Sequence, residues 1–136
     1  MKEREDAPEP RIIAHRTEPF SITAAGLTRL RAEASATTDP ERRAALEQQL
    51  ALAVVPSAPA DPAVVGFGAR VRVDSVGLPD EEFTIVGDDE ADVKAGKIGV
   101  TSPLAVALLG KRTGGRAVWH RPLGDRQLRI RAVSYD

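Results

Sequence analysis

No cysteine occurs among the 136 residues, so disulfides and thiolate metal ligands are both excluded. Aromatic side chains make up only 4% of the chain: three Phe, one Trp and one Tyr. The hydrophobic 42% must therefore build its core from Val, Leu, Ile and Ala. Charge of one sign is also missing. Lys and Arg total 19 against 20 Asp and Glu, a formal net charge of -1. Such a balance lacks the basic surplus with which proteins grip a nucleic-acid backbone, so no direct sequence-specific nucleic-acid binding is expected. No run approaches the ~18 apolar residues that cross a bilayer, and "MKEREDAPEPR" has no apolar segment of the kind that directs export. These features predict a soluble, cytoplasmic protein with no membrane partner.

What is present changes character along the chain. Residues 1–20 hold charge, three prolines and few large apolar groups, and they predict a flexible tail with Ile12, Ile13 and Phe20 as its only docking points. A short coiled-coil hairpin is expected over 21–54. In "SITAAGLTRLRAEASA", Thr23 can cap a helix, and Leu27, Leu30 and Ala34 recur at helical spacing. "TTDPER" breaks that helix and starts another, with Asp39 as cap and Pro40 at the first helical position. Thr38 with Glu41 is the alternative capping box. Leu46, Leu50 and Ala53 continue the second apolar stripe. Arms of about 14 residues would be roughly 21 Å long. Residues 55–64 read as a Pro/Ala linker, since "VVPSAPADPAVV" cannot continue a helix.

From 65 to 136 the signal is β. "ARVRVDSV" alternates Val71, Val73 and Val76 imperfectly with polar residues, "EEFTIVG" and "KIGVT" supply further strands, and "GLPDEE" reads as a turn. "SPLAVALLG" predicts one short helix with Ser102 as cap, Pro103 first and Gly110 as terminator. "RAVWHRP" and "RQLRIRAVSY" predict a closing hairpin around "LGD", with Leu128, Ile130 and Val133 facing the core and Arg129 and Arg131 outside. The class is α+β: a helical hairpin, then an antiparallel sheet with one short helix.

The stretch "GDDEADVKAGK" (87–97) contains the letters of a helicase motif, but the chemistry of a motor does not follow. A phosphate-cradling loop needs a hydroxyl after Gly-Lys to bind Mg²⁺, and Gly96-Lys97 is followed by Ile98. The remaining readings of Asp88, Asp89, Glu90 and Asp92 are a solvated acidic loop or one that docks on a basic partner surface. No EF-hand spacing accompanies them, so no metal site and no cofactor is predicted.

The order of motifs in this half resembles the bacterial Gre transcript-cleavage factors, GreA and GreB. The matching residues run from "VGFGARVRV" through "FTIVGDDEADVKAGKIGVTSPLAVALLGKRTGG" to "IRAVSYD", and "SITAAGLTRLRAEA" is similar to the start of the Gre coiled coil. The resemblance implies an FK506-binding-protein-like C-terminal domain that docks on RNA polymerase at the rim of its secondary channel, as a monomer. It implies docking residues at Asp88, Asp89, Glu90, Asp92, Ser102, Pro103 and Leu104. In the cleavage factors, acidic residues at the coiled-coil tip help hold a Mg²⁺ beside the polymerase active site. Here the "G-D-L-x-E-N-x-E-Y"-like tip is absent, and "RAEASA" passes through "TTDP" straight to "ERRAALEQQL". Asp39 and Glu41 stand at the shortened tip, where capping and helix-dipole compensation account for both. Short-hairpin relatives such as the Rnk-type nucleoside diphosphate kinase regulators are similar in this respect. The expected function is a non-enzymatic polymerase-binding regulator without cleavage stimulation. The alternative is a cleavage factor that uses Asp39 and Glu41 to support the polymerase metal.

Other residues suggest little chemistry. His15 and His120 make no dyad, Ser75 and Ser134 have no base partner, and Trp119 is expected in the sheet. Arg70, Arg72, Arg129 and Arg131 predict basic ladders on exposed sheet faces. Too few aromatics are available to line a prolyl-isomerase pocket.

Overall fold

The computed structural model describes residues 17–135, and its packing divides the chain into two compact units that meet between Val55 and Pro56. Most of the expected tail, including Ile12, Ile13 and His15, lies outside the described residues.

In the first unit, Thr23 is extended and its hydroxyl accepts the Gly26 N–H at 3.0 Å, which starts helix α1 (Ala24–Ala36). Thr37 leaves the helical region and ends it. Asp39 then caps α2 (Pro40–Leu52), its Oδ1 accepting the Glu41 N–H at 3.0 Å. The cap is Asp39 and not Thr38. Each helix has 13 residues, about 20 Å. Isolated helices of that length are marginal in water, so packing must hold them. Ile22, Leu30, Ala34 and Leu46 form the buried cluster, with Phe20, Leu27, Leu50 and Ala53 against it. Outside the helices, β1 (Phe20–Ser21) pairs in parallel with β2 (Ala53–Val54), and Ile22 N–H donates to the Val54 carbonyl at 2.9 Å. Phe20 is thus a strand residue that clasps the entry of the hairpin to its exit.

The second unit is a five-stranded sheet. Its strands are β3 (Arg70–Ser75), β4 (Leu78–Val86), β5 (Lys97–Gly99), β6 (Arg116–Trp119) and β7 (Arg126–Ser134), in the order β5-β4-β3-β7-β6. All pairs are antiparallel except β4–β5, which is parallel. Helix α3 (Pro103–Leu108) contacts both β5 and β6, the two edge strands, so the sheet curls around it. Val65, Val71, Val73, Ile85, Leu108 and Ile130 are among the side chains with 2% exposure or less in this core.

Three local features differ from simple alternation. Leu128 and Ile130 lie two apart and Val133 three further on, yet all three pack on the core. The register explains this: Arg72 faces Ala132 while Val73 faces Ile130, so Arg131 is the extra residue of a β-bulge that resets the pleat. Val76 does not extend the β3 stripe; it is fully exposed in the turn before Gly77, whose φ is 80°. "GLPDEE" is not a turn, because Leu78 to Glu82 belong to β4. β5 reaches only Thr84–Val86, so Pro79 sits where β4 is an edge and needs no N–H. The far end of the expected linker also belongs to this unit. Val65 N–H donates to the Lys111 carbonyl at 2.8 Å, Arg112 pairs with Asp61 at 2.8 Å, and the Tyr135 hydroxyl donates to the Val64 carbonyl at 2.6 Å.

Candidate functional site

The acidic segment leaves β4 at Gly87 and returns at β5 through two short 3-10 turns, Asp88–Glu90 and Val93–Ala95. Its conformation is fixed by its own carboxylates. Glu90 Oε1 accepts the Gly87 N–H at 2.9 Å, while the Glu90 N–H donates to the Gly87 carbonyl at 2.8 Å. Asp88 reaches across the sheet edge: Oδ1 accepts the Thr101 N–H at 3.1 Å and Oδ2 the Thr101 hydroxyl at 2.7 Å. This approach requires a glycine opposite, since a Cβ on Gly99 would stand 2.5 Å from Asp88 Oδ1 and 3.2 Å from Asp88 Cα. A pair of 2.9 Å hydrogen bonds between the Asp92 and Lys97 backbones closes the loop, with Gly96 at φ 75°.

Thr101 leads directly into Ser102, whose Oγ accepts the Ala105 N–H at 3.3 Å and starts α3 with Pro103 in first place. The Asp88–Thr101 contact therefore brings the acidic loop and the "SPLA" segment together. Leu104 requires a correction: it is 4% exposed and belongs to the core, so its side chain is not available to a partner. Pro103 and, one turn on, Val106 are the exposed residues of α3, Val106 at 61%. Val106 was missed by the sequence reading, although its spacing from Leu104 and Leu108 places it on the opposite face. Thr101, the residue that orders Asp88, carries no sequence signal, because the two are thirteen positions apart.

Asp39 and Glu41 lie far along the sequence in the other unit. Both are exposed, and the Asp39 carboxylate is engaged with the Glu41 N–H. Arg43 Nη2 donates to the Thr37 carbonyl at 2.6 Å, which places a cation beside the same turn. Among the described residues no three of His, Asp and Glu are grouped as a metal site. His120 Nδ1 lies 2.9 Å from Asp125 Oδ1 on an exposed turn, and Trp119 is half-buried with the Arg121 and Arg126 guanidinium carbons 5.4 and 5.9 Å from its ring centre.

The expected basic ladders are partly neutralised. Arg129 and Arg131 both reach Asp74 Oδ2, at 3.3 and 3.1 Å, and Arg126 pairs with Glu81 at 2.8 Å. The Arg129 hydrogen bond, with charge attraction from both arginines, holds the Asp74 carboxyl below its ordinary value. The Ala63 N–H and then Arg112 do the same for Asp61. Burial pushes the Tyr135 hydroxyl upward.

Comparison with known proteins gives this arrangement a lineage. Residues 60–135 match the family model described as "Transcription elongation factor, GreA/GreB, C-term". A transcription elongation factor GreA of Hyphomonas neptunium is 50% identical over 72 residues, 52% of this chain and 46% of the relative. That of Thermodesulfovibrio yellowstonii is 44% identical over 73 residues, 53% and 46%. The chain thus matches about half the length of these curated relatives. Among solved structures, a prokaryotic transcription elongation factor GreA/GreB from Nitrosomonas europaea is similar at 28% identity and TM-score 0.50, covering 88% of this chain and 100% of that one. The transcription factor Gfh1 shares the fold at 22% identity and TM-score 0.50, covering 87% and 99%. The family match spans more than half of the sequence and includes the acidic loop and the start of α3, so the chain belongs to the GreA/GreB family.

Proposed function

We propose that the protein regulates transcription elongation by docking on RNA polymerase at the secondary-channel rim, and that it does not stimulate transcript cleavage. The docking surface is the acidic loop with the first turn of α3, namely Asp88, Asp89, Glu90, Asp92, Ser102 and Pro103. Support for docking comes from the family match over that surface and from its rigidity: the Asp88–Thr101 and Glu90–Gly87 bonds fix a set of carboxylates beside an exposed proline. A preformed charged surface steers a basic partner and loses little entropy on binding.

The observation that carries the second half of the proposal is the tip of the hairpin. A carboxylate that assists phosphoryl chemistry must reach a metal's inner shell at ~2.1 Å. The arms here are 13 residues each, the turn between them is Thr37 to Asp39, and the Asp39 carboxylate is engaged in capping α2. The chemistry of cleavage belongs to the polymerase, and of the two tip carboxylates Asp39 is committed to its cap while Glu41 stands alone in the first turn of α2, on arms only about 20 Å long. Occupying the rim would instead exclude true cleavage factors.

Two measurements test these parts separately. Purified protein should bind core polymerase, and Asp88→Lys should weaken that binding at least tenfold. In stalled elongation complexes the protein should not accelerate cleavage and should compete with a full-length cleavage factor. Acceleration that disappears in the Asp39→Ala, Glu41→Ala double variant would establish the cleavage-factor alternative.

A further inference from the structure

The acidic loop, which also carries Lys94 and leads into Lys97, flanks β5 at one edge; Lys111, Arg116 and Arg121 lie around β6 at the other, with Asp125 bonded to His120. Between α3 and β6 runs a groove of about 610 Å³. Its aliphatic floor comes from Pro103, Val106 and Val118, with Val106 61% and Val118 40% exposed. Pro103 and Val106 are one turn apart on the solvent face of α3, opposite buried Leu104 and Leu108. Arg116 and Val118 alternate along β6 on its exposed side, while Ala117 between them is buried. Lys111 and Arg116 line the groove, and no Asp or Glu does. Among the described residues neither cation has an ion-pair partner, unlike Arg112, Arg126, Arg129 and Arg131.

We propose that this groove is a second docking surface, which takes a protein segment carrying aliphatic side chains flanked by carboxylates. Exposed valines call for apolar groups, and two cations that no carboxylate pairs call for anions; the carboxylates nearest the lining, Asp88 and Asp125, are bonded instead to Thr101 and His120. A nucleic acid fits less well. The lining has no Phe, Tyr or Trp on which a base can stack, and two cations provide little counterion release. A small-molecule site would need convergent, well-held polar groups, and the cations here stand on an exposed rim. The inference shares Pro103 with the polymerase reading and otherwise rests on different side chains, Val106, Lys111, Arg116 and Val118. The two surfaces meet at Pro103.

The test uses the full chain, isotope-labelled, titrated with a synthetic helical peptide of Leu and Glu. Amide resonances of Val106, Lys111, Arg116 and Val118 should move, while those of the acidic loop should not. The Lys111→Glu, Arg116→Glu variant should bind about tenfold more weakly, and the milder Arg116→Gln about threefold. Because all the changed side chains are exposed, the resonance dispersion of each variant should match that of the parent. A Leu/Lys peptide and a Ser/Glu peptide should both fail to bind. The proposal is overturned if the Leu/Glu peptide leaves the groove unmoved, if the Leu/Lys peptide binds equally well, or if a single-stranded oligonucleotide shifts the same resonances at lower concentration.

Discussion

Among the described residues, four buried side chains carry the core of the helical unit, Ile22, Leu30, Ala34 and Leu46, against twelve in the sheet unit. The hairpin is assembled from neighbours in sequence. Its caps at Thr23 and Asp39 act within three residues, and its chain ends are closed by a two-residue strand pair. The sheet unit is assembled from distance: Arg112 meets Asp61 and the Tyr135 hydroxyl meets Val64. One unit is therefore easily specified and weakly buttressed, the other strongly buttressed and slow to specify. Under the proposed docking by the sheet unit, this division puts rigidity where a partner would be recognised.

The sharpest way to break that comparison is to remove one large side chain from each core. Leu46→Ala should cost about 3 kcal/mol, a large share of the stability available to so small a cluster. Its far-ultraviolet helical signal should melt early while the fluorescence of Trp119, the only tryptophan and a sheet residue, keeps its transition. Ile130→Ala should move the Trp119 transition by a similar free energy without abolishing the fold, because eleven buried neighbours remain in its cluster. If Leu46→Ala unfolds both signals together, the contrast drawn here is wrong.

Next in size is a change at the proposed docking surface itself. Gly99→Ala forces a Cβ against Asp88 Oδ1 and Cα and should destabilise the sheet unit by about 2 kcal/mol. The Thr101 amide resonance should shift with it, since that N–H donates to Asp88. Retention of the Thr101 resonance would mean that the loop does not depend on this close approach.

How far these features are legible depends on how local their physics is. Thr23, Asp39–Pro40 and Ser102–Pro103 are readable as helix starts because a cap involves residues two or three apart. The core positions Leu128, Ile130 and Val133 are readable as apolar, but the bulge at Arg131 that reconciles their spacing exists only against β3. "GLPDEE" misleads because Pro79 and three acidic residues suit a turn and an unpaired strand edge equally. At the candidate site the acidic composition is visible, yet its anchor at Thr101 is not. Leu104 looks like part of an exposed motif until α3 is seen to turn it inward. The β1–β2 clasp has no signal, since two residues are too few for alternation.

A smaller effect refines the hairpin side. Gln49 is 2% exposed, and among the described residues its amide nitrogen has no hydrogen-bond partner. It falls one turn after Leu46, on the same buried stripe. An unsatisfied buried donor is a liability that a leucine of similar volume removes. Gln49→Leu should raise the midpoint of the helical signal by about 1 kcal/mol and leave the Trp119 transition in place. A loss of stability would show that the amide does useful work in the hairpin.

The least effect, and the one most specific to the sheet unit, is its acid response at Asp74. This carboxylate accepts hydrogen bonds from Arg129 and Arg131, whose side chains are about half exposed, so solvent screens the interaction and its contribution is small. Its direction is nevertheless fixed. In the unfolded chain Asp74 titrates near 3.8, and in the folded one it titrates lower. The folded state thus favours the charged form; the resulting stability is complete above the unfolded value and is lost as pH falls through the folded value. Asp74→Asn lacks that charge at every pH. Followed by Trp119 fluorescence, the wild-type midpoint should exceed that of Asp74→Asn by a constant margin near neutrality, and the margin should close below about pH 4. Asp61, also held low by its partners, titrates in both proteins and cancels from the difference. A margin that widened on acidification would mean that the folded state disfavours ionised Asp74, contrary to the hold of Arg129 and Arg131 on it. The β3–β7 pairing would then rest on its backbone ladder and on the valines and isoleucine beneath it.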